Sequence, residues 1–131
     1  MDKRKAAAVE PERQVEGITQ ITVQGFKSMA KRTSVEIRPL TILAGANSSG
    51  KSSIMQPLLL LKQTLEVTYD QGSLLPEGPN ANFSSVSQML SRRPDGTNAS
   101  SIEVGVEFSR RSHFVNTFEE VPGGALELIS M

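Results

Sequence analysis

The sequence contains Gly45-Ala46-Asn47-Ser48-Ser49-Gly50-Lys51-Ser52, a stretch rich in glycine and serine. A glycine opens the stretch, and a second glycine is followed directly by lysine and serine, which is the spacing of a phosphate-binding loop, or P-loop. The glycines let the backbone curl so that its N–H groups face phosphate oxygens, and the start of the following helix favours negative charge. The stretch therefore predicts a site for a phosphate-bearing ligand.

The segments on either side of the loop support this interpretation. Residues Leu40 to Ala44 form a continuous apolar run, which predicts a central strand covered on both faces. From Gly50 to about Glu66, apolar residues recur at helical spacing and predict a buried helix, which Pro57 should kink. A strand before the loop and a helix after it distinguish a P-loop from a glycine-serine loop that only caps a helix. We therefore expect binding of a nucleoside triphosphate, ATP, together with Mg²⁺.

Each residue type in the loop suits a particular part of that ligand. Lys51 is the predicted catalytic residue, because its ammonium group can reach the β and γ phosphates. The hydroxyl of Ser52 is positioned to complete the Mg²⁺ shell. The other predicted nucleotide contacts are Gly45, Asn47, Ser48, Ser49, Gly50 and Ser53.

Patterns outside the loop predict further strands and turns. Residues 17–26 are rich in β-branched and aromatic side chains, and Thr33 to Arg38 alternate between apolar and polar, so both segments are predicted strands. The remaining predictions are a loop at 71–82, a short strand or helix at 83–90, a hairpin turn at 93–97, an alternating strand at 102–108 and an irregular segment at 111–131.

Composition limits the class of protein. The chain has 131 residues, of which 37% are hydrophobic, and 14 basic side chains balance 14 acidic ones, so no overall charge attracts nucleic acid or an anionic membrane. It has no cysteine and no apolar run long enough for a membrane span, which predicts a cytoplasmic protein. We expect a disordered tail at 1–16, the N-terminal portion of a P-loop ATPase domain at 17–110 and the irregular segment at 111–131.

Several other residues have a functional and a simpler interpretation. His113 is the only histidine and has no ligand partner at metal-binding spacing, so a surface or packing role is favoured. Met29 and Met55 are interpreted as packing residues. Four arginines lie near the predicted hairpin: Arg92, Arg93, Arg110 and Arg111. They either contact phosphates or are solvated residues at the hairpin ends, and the second interpretation is favoured.

Three segments together resemble the start of the SMC, RecF and OLD group of ABC-type ATPases, including predicted AAA-family ATPases of bacteria. They are Gly25-Phe26-Lys27-Ser28, Ile37-Arg38-Pro39-Leu40-Thr41 and the loop through Ser53. The leucine-rich stretch from Leu58 to Glu66 strengthens the resemblance, which covers about residues 18–108. It implies an α/β P-loop NTPase fold, namely the N-terminal lobe of an ABC-type ATPase head with a mixed antiparallel and parallel sheet, present here in incomplete form.

The resemblance also implies roles for individual residues. Phe26 and Lys27 are implied to lie near the adenine and ribose, and Ser52 with a later glutamine to meet magnesium and the attacking water. Gln88 is the candidate for that glutamine, because residues 83–90 resemble the segment that carries it. A plain polar loop role for Gln88 is equally compatible, and two other glutamines compete, Gln63 and Gln71.

The chain also departs from this group. No apolar run that ends in paired acidic residues follows Phe108, and no Ser-Gly-Gly signature is present. Related heads hydrolyse ATP when two complete heads enclose it, so the resemblance implies a homodimer or hetero-oligomer and no hydrolysis by this chain alone. It also implies a nuclease or DNA partner in DNA repair or phage defence.

Two alternative functions use the same loop. One is a small regulatory or interaction module that binds nucleotide without ATPase activity. The other is a GTPase or nucleotide kinase. Against a GTPase, Asn116-Thr117-Phe118-Glu119 does not match the guanine-specific Asn-Lys-x-Asp motif. Nucleotide kinases usually cover the substrate with an arginine-rich lid, and only the Arg110-Arg111 pair is available for one.

Overall fold

The computed structural model describes residues 17–46, 49–68, 72–109 and 112–131. Within these ranges the chain forms one five-stranded sheet with the strand order β2-β1-β3-β4-β5, and every pair of neighbouring strands is antiparallel. The elements are β1 (Ile18–Gln24), β2 (Thr33–Glu36), α1 (Lys51–Leu65), a 3-10 helix (Val86–Gln88), β3 (Ser101–Phe108), β4 (His113–Val121) and β5 (Ala125–Ser130).

Alternation along the central strands gives the sheet one apolar face and one polar face. Val23 of β1 lies opposite Val104 of β3, and both are buried. The next pair, Gln24 and Glu103, points to the other face. The apolar face is therefore available to cover the helix, and the polar face remains in contact with water.

The hydrophobic core lies between the apolar face and α1, which contacts β1. Leu60 and Pro57 of α1 are fully buried. The core extends to Phe26 and Phe83, whose rings meet edge to face with centroids 6.0 Å apart. The start of α1 is therefore anchored beside the turn that follows β1.

The predicted helix is confirmed over residues 51–65, but the prediction that it is buried is wrong. Met55 is 40% exposed and Leu65 is 82% exposed, because the sheet covers only one side of the helix. The helix assignment continues through Pro57 without interruption. The kink at Pro57 stays a prediction.

The predicted central strand at residues 40–44 is not formed in the described part of the chain. Leu40 is 80% exposed and Ile42 is 78% exposed, and neither belongs to a strand. A buried strand of this kind needs partner strands on both sides, and none pairs with it among the described residues. The parallel part of the expected mixed sheet is likewise not seen within the described ranges.

The C-terminal residues are more regular than the sequence predicts. The prediction of an irregular segment at 111–131 is wrong for residues 113–130, which form β4, β5 and the turn between them. The Pro122-Gly123-Gly124 break is the turn that joins them, with Gly124 N–H donating to the Val121 carbonyl and Val121 opposite Ala125. Glycine suits this turn because Gly123 and Gly124 have φ angles of 112° and 77°.

The remaining predictions are confirmed with small boundary changes. The strands predicted at 17–26, 33–38 and 102–108 correspond to β1, β2 and β3, the region 83–90 contains the 3-10 helix, and residues 72–82 contain neither helix nor strand. The division of the chain at residues 16 and 110 stays a prediction. Predictions for the tail at 1–16 and for Asn47, Ser48, Gln71, Arg110 and Arg111 lie outside the described residues.

The predicted turn at 93–97 is also confirmed, and it contains a carboxylate that should titrate abnormally. The hydroxyl and N–H of Thr97 donate to Asp95 Oδ1 at 2.6 and 2.9 Å, and these bonds hold the pKa of Asp95 below its ordinary value. Because the pKa is lower in the folded chain, the carboxylate stabilises the fold above the unfolded-state pKa, and this contribution is lost as the pH falls through the folded-state pKa.

Replacing the hydroxyl donor tests this cause. We expect Thr97→Val to raise the pKa of Asp95 toward the ordinary value, as measured by an NMR titration of the Asp95 carboxyl group. Thr117→Val, on the same type of residue in β4, serves as the matched control and should not change it. An unchanged Asp95 pKa in Thr97→Val would show that the hydroxyl is not the main cause.

Candidate functional site

A cleft lies between the turn after β1, residues 25–29, and the first two turns of α1. Its cavity is about 280 Å³, and it is open to solvent. The lining residues are Lys27, Ser28, Gly50, Lys51, Ser52, Ser53 and Gln56. Four of the predicted nucleotide contacts are therefore brought to one place by the start of the helix.

Gly50 is required by the geometry at the start of α1. Its φ angle of 84° lies in the left-handed region that disfavours side chains. A Cβ atom added there would lie 2.6 Å from Ser28 Oγ and 2.9 Å from Met29 Cε. The second glycine of the motif therefore lets the helix begin in close contact with the turn after β1.

The helix start presents hydrogen-bond donors to the cleft. The first N–H groups of an α-helix have no acceptor within the helix, and the helix dipole places partial positive charge there. No acidic side chain occupies the first turn of α1, so none of its own carboxylates neutralises this charge. Lys51 and Ser52 begin the helix, and their N–H groups suit an anion such as phosphate.

Lys51 folds back over the loop that precedes it. Its Nζ donates to the carbonyl oxygens of Gly45 and Ala46, the second at 2.7 Å. These neutral acceptors are weaker partners for an ammonium group than a phosphate oxygen would be. The lysine is therefore held beside the cleft by contacts that a phosphate could replace.

The turn after β1 brings a second lysine, Lys27, to the lining of the cleft. Lys27 has a φ angle of 46°, which is uncommon for a residue other than glycine, and its N–H donates to the Met89 carbonyl at 2.8 Å. Its Nζ lies 4.7 Å from the centre of the Phe83 ring and 5.8 Å from that of Phe26. The packing thus holds Lys27 in a strained conformation, a feature that often marks functional sites.

Two of the candidate glutamines, Gln63 and Gln88, lie in the described part of the chain and have different environments. Gln63 is 2% exposed, and its amide bonds to the backbone of Leu75, Asn80 and Ala81, so both of its ends are used in the fold. Gln88 lies in the 3-10 helix next to Met89 and accepts a hydrogen bond from Ser84 N–H at 3.2 Å. Its role at a magnesium ion stays a prediction.

His113, Arg92 and Arg93 do not line the cleft. His113 is exposed and pairs with Glu107 across the sheet, and Arg92 and Arg93 flank the turn at 93–97. Among the described residues, no three histidine, cysteine or acidic side chains come together as a metal-binding group. Met29 packs against the core, whereas Met55 is largely exposed.

Gln56 is a cleft residue that the sequence predictions missed. It lies on α1, and its side-chain oxygen Oε1 is buried without a hydrogen-bond partner among the described residues. The sequence does carry a signal for it, because a glutamine interrupts the apolar run from Ile54 to Leu61. The helical pattern rests on the apolar residues alone and assigns no function to a polar residue within the run.

One comparison with known proteins assigns the chain to a family. Residues 17–121 match the family model described as AAA ATPase domain, which covers β1 to β4 and the whole cleft. Searches of curated proteins and of solved structures found no match. In the described part of the chain, no helix has both the length and the apolar character needed to cross a membrane. The P-loop sequence, the cleft at the helix start and the match over most of the chain lead to one conclusion: the chain belongs to the AAA ATPase domain family.

Proposed function

We propose that this chain binds ATP with Mg²⁺ in the cleft between the turn after β1 and the start of α1. The observation that carries the proposal is the convergence of Lys51, Lys27 and the first N–H groups of α1 on one open cavity. Two lysines in the cleft lining and a helix N-terminus suit the charge of a triphosphate. The family match supports the use of nucleotide.

The residues of the cleft are compatible with magnesium. Ser52 is exposed at the helix start and supplies a hydroxyl oxygen, and Mg²⁺ in nucleotide sites takes only one or two protein ligands because phosphates and water supply the others. When bound, the ion would neutralise charge on the phosphates. The proposed roles are therefore Ser52 for the ion, Lys51 for the β and γ phosphates, and Gly45, Asn47, Ser48, Ser49, Gly50 and Ser53 for the remaining oxygens.

We further propose that ATP turnover needs a second head or further protein. The exposed apolar side chains of Leu40, Ile42 and Leu43, directly before the loop, support this proposal because they have no covering layer among the described residues. Neighbouring exposed apolar side chains are a feature of contact surfaces. An ABC-type head that works as a dimer, with a nuclease or DNA partner in DNA repair or phage defence, remains our proposal from the sequence resemblance.

Calorimetric titration with Mg-ATP tests the binding proposal, and GTP is added as a competitor. We expect saturable binding of ATP that GTP competes for only weakly, and no release of phosphate by the isolated chain. Ser52→Ala should weaken binding in the presence of Mg²⁺ and change it little in the presence of a chelator. Ser87→Ala, in the 3-10 helix outside the cleft lining, is the matched control. The absence of saturable ATP binding by the wild-type chain would contradict the proposal.

A further inference from the structure

Two serine hydroxyl groups from opposite walls of the cleft contact each other. Ser28 lies in the turn after β1 and Ser53 lies on α1, and both residues line the cavity. Ser28 Oγ donates a hydrogen bond to Ser53 Oγ, and the two oxygens are 3.3 Å apart. The Ser53 oxygen therefore lies at the boundary between the two walls.

The position of Ser28 shows which way the Ser53 oxygen faces. Ser28 is exposed, and its oxygen also packs on the helix start, because a Cβ atom added at Gly50 would lie 2.6 Å from it. Ser53 is 6% exposed. Since the partner of the Ser53 oxygen is an exposed side chain on the opposite wall, this oxygen faces the cleft and not the hydrophobic core.

The contact with Ser28 uses only the acceptor capacity of the Ser53 hydroxyl. A serine hydroxyl has one donor and two acceptor lone pairs, and Ser53 Oγ donates to no acceptor among the described residues. Thr64 on the same helix shows the contrast, because its hydroxyl donates to the Leu60 carbonyl and also accepts from Leu75 N–H. The unused group of Ser53 is a donor, and phosphate oxygens are acceptors.

The hydrogen bond from Ser28 affects how Ser53 can donate. Hydrogen bonds in a chain polarise one another, so a hydroxyl that accepts a bond is a stronger donor. The lone pair that faces Ser28 also restricts the directions left for the Ser53 proton. At 3.3 Å the contact is longer than the common O–H···O distance of about 2.7–2.8 Å, so it contributes little to the stability of the fold. Hydrogen bonds of this kind often shorten when a ligand binds.

We propose that Ser28 is a positioning residue, whose hydroxyl orients the Ser53 hydroxyl to donate to a non-bridging phosphate oxygen of the triphosphate. This inference rests on the proposed function, since it needs a triphosphate in the cleft. It assigns a role in phosphate binding to a residue of the turn after β1, which lies outside the P-loop motif. Ser28 acts on the ligand only through Ser53.

A double-mutant cycle on the two serines tests this inference, with calorimetric titration of Mg-ATP and of Mg-tripolyphosphate. We expect Ser53→Ala to bind both ligands about tenfold more weakly, because a hydrogen bond to a charged group is lost. Ser28→Ala should bind both about threefold more weakly, because the Ser53 donor is no longer oriented. The double variant should bind no more weakly than Ser53→Ala alone. The melting temperature of ligand-free Ser28→Ala should stay within about 2 °C of the wild type.

Ser34→Ala is the matched control. Ser34 is an exposed serine whose hydroxyl bonds to that of Thr22 at 2.8 Å outside the cleft lining, so its removal should alter neither affinity.

Several results would overturn the inference. One is wild-type affinity in Ser28→Ala or in Ser53→Ala. Another is an equal loss from Ser28→Ala with and without the Ser53 hydroxyl, because Ser28 would then act on the ligand or the fold independently. A loss of affinity for ATP alone would place the contact at the nucleoside. In all these cases the wild-type chain still binds both ligands and only this inference fails, whereas a wild-type chain that binds neither ligand contradicts the proposed function itself.

Discussion

Lys51→Ala is expected to lower the affinity of the chain for Mg-ATP by about 100-fold or more, equivalent to about 2.7 kcal/mol. The substitution removes the only side chain of the P-loop motif that carries a full positive charge, at the start of a helix whose other donors are neutral. The loss should appear in calorimetry as a weaker dissociation constant and in melting curves as a loss of ATP-induced stabilisation.

Lys62→Ala is the matched control for Lys51→Ala. Lys62 lies on the same helix and is exposed, and it pairs with Glu66 at 3.1 Å. It does not line the cleft, so its removal should leave ATP affinity unchanged. Lys51 also donates to the carbonyls of Gly45 and Ala46, so its removal could change the stability of the loop. The melting temperature of ligand-free Lys51→Ala separates this effect from the loss of ATP binding. Equal affinity losses in the two variants would indicate a general charge effect and would contradict the assignment of Lys51.

Gln63→Ala is expected to reduce the free energy of unfolding by about 3 kcal/mol. The Gln63 amide donates to the carbonyls of Leu75 and Ala81 at 2.7 and 3.1 Å, and it accepts from the N–H groups of Asn80 and Ala81 at 3.3 and 3.0 Å. Truncation leaves these backbone groups unpaired in a site that is 2% exposed, and it also opens a cavity. Urea unfolding of the wild type and the variant measures the effect.

Gln24→Ala provides the comparison for Gln63→Ala, because Gln24 is exposed and its removal should change stability by less than about 0.5 kcal/mol. A similarly small effect in Gln63→Ala would contradict the structural role of the Gln63 hydrogen bonds. Gln63 also shows why a glutamine in a plausible sequence position need not be catalytic. Its hydrogen bonds to the backbone leave it no free group for a magnesium ion.

Elements with a strong local pattern could be predicted from the sequence. The helix was predictable because apolar residues recur with helical period up to Leu65, and Gly50 marks its start. The strands β1 and β3 were predictable because the residue pattern typical of a strand can be recognised within each segment alone. The strand expected at residues 40–44 has an equally clear apolar pattern, but a strand forms only when a partner pairs with it, and the pattern does not reveal whether a partner is present.

The final hairpin was missed because its pattern is weak. On β4, Asn116 interrupts the apolar positions between Phe114 and Phe118 on the face that looks toward the core. Leu128 and Ile129 of β5 are adjacent and both exposed, which breaks the alternation that marks a half-buried strand. Pairing with β3 and β4 outweighs these local irregularities, and such pairing is a property of the whole sheet.

The site was predictable to the extent that it is local in sequence. Gly50, Lys51 and Ser52 are contiguous, and their chemistry follows from the motif. Only the family resemblance predicts that Lys27 lies near the loop. In the structure, Lys27 lies there because Gly50 allows the neighbouring residue Ser28 to approach the start of α1 closely. The unpaired amide of Gln56 could not be predicted, because hydrogen-bond satisfaction depends on the packed structure.

Backbone amide NMR of the ¹⁵N-labelled chain with increasing Mg-ATP shows which residues contact the nucleotide. We expect saturable chemical-shift changes that are largest for the amides of Gly50, Lys51 and Ser52 and extend to Lys27, with little change at Thr97, which does not line the cleft. Saturable shifts confined to residues outside the cleft, or no shifts at concentrations of ATP found in cells, would contradict the claim that this cleft is the nucleotide site.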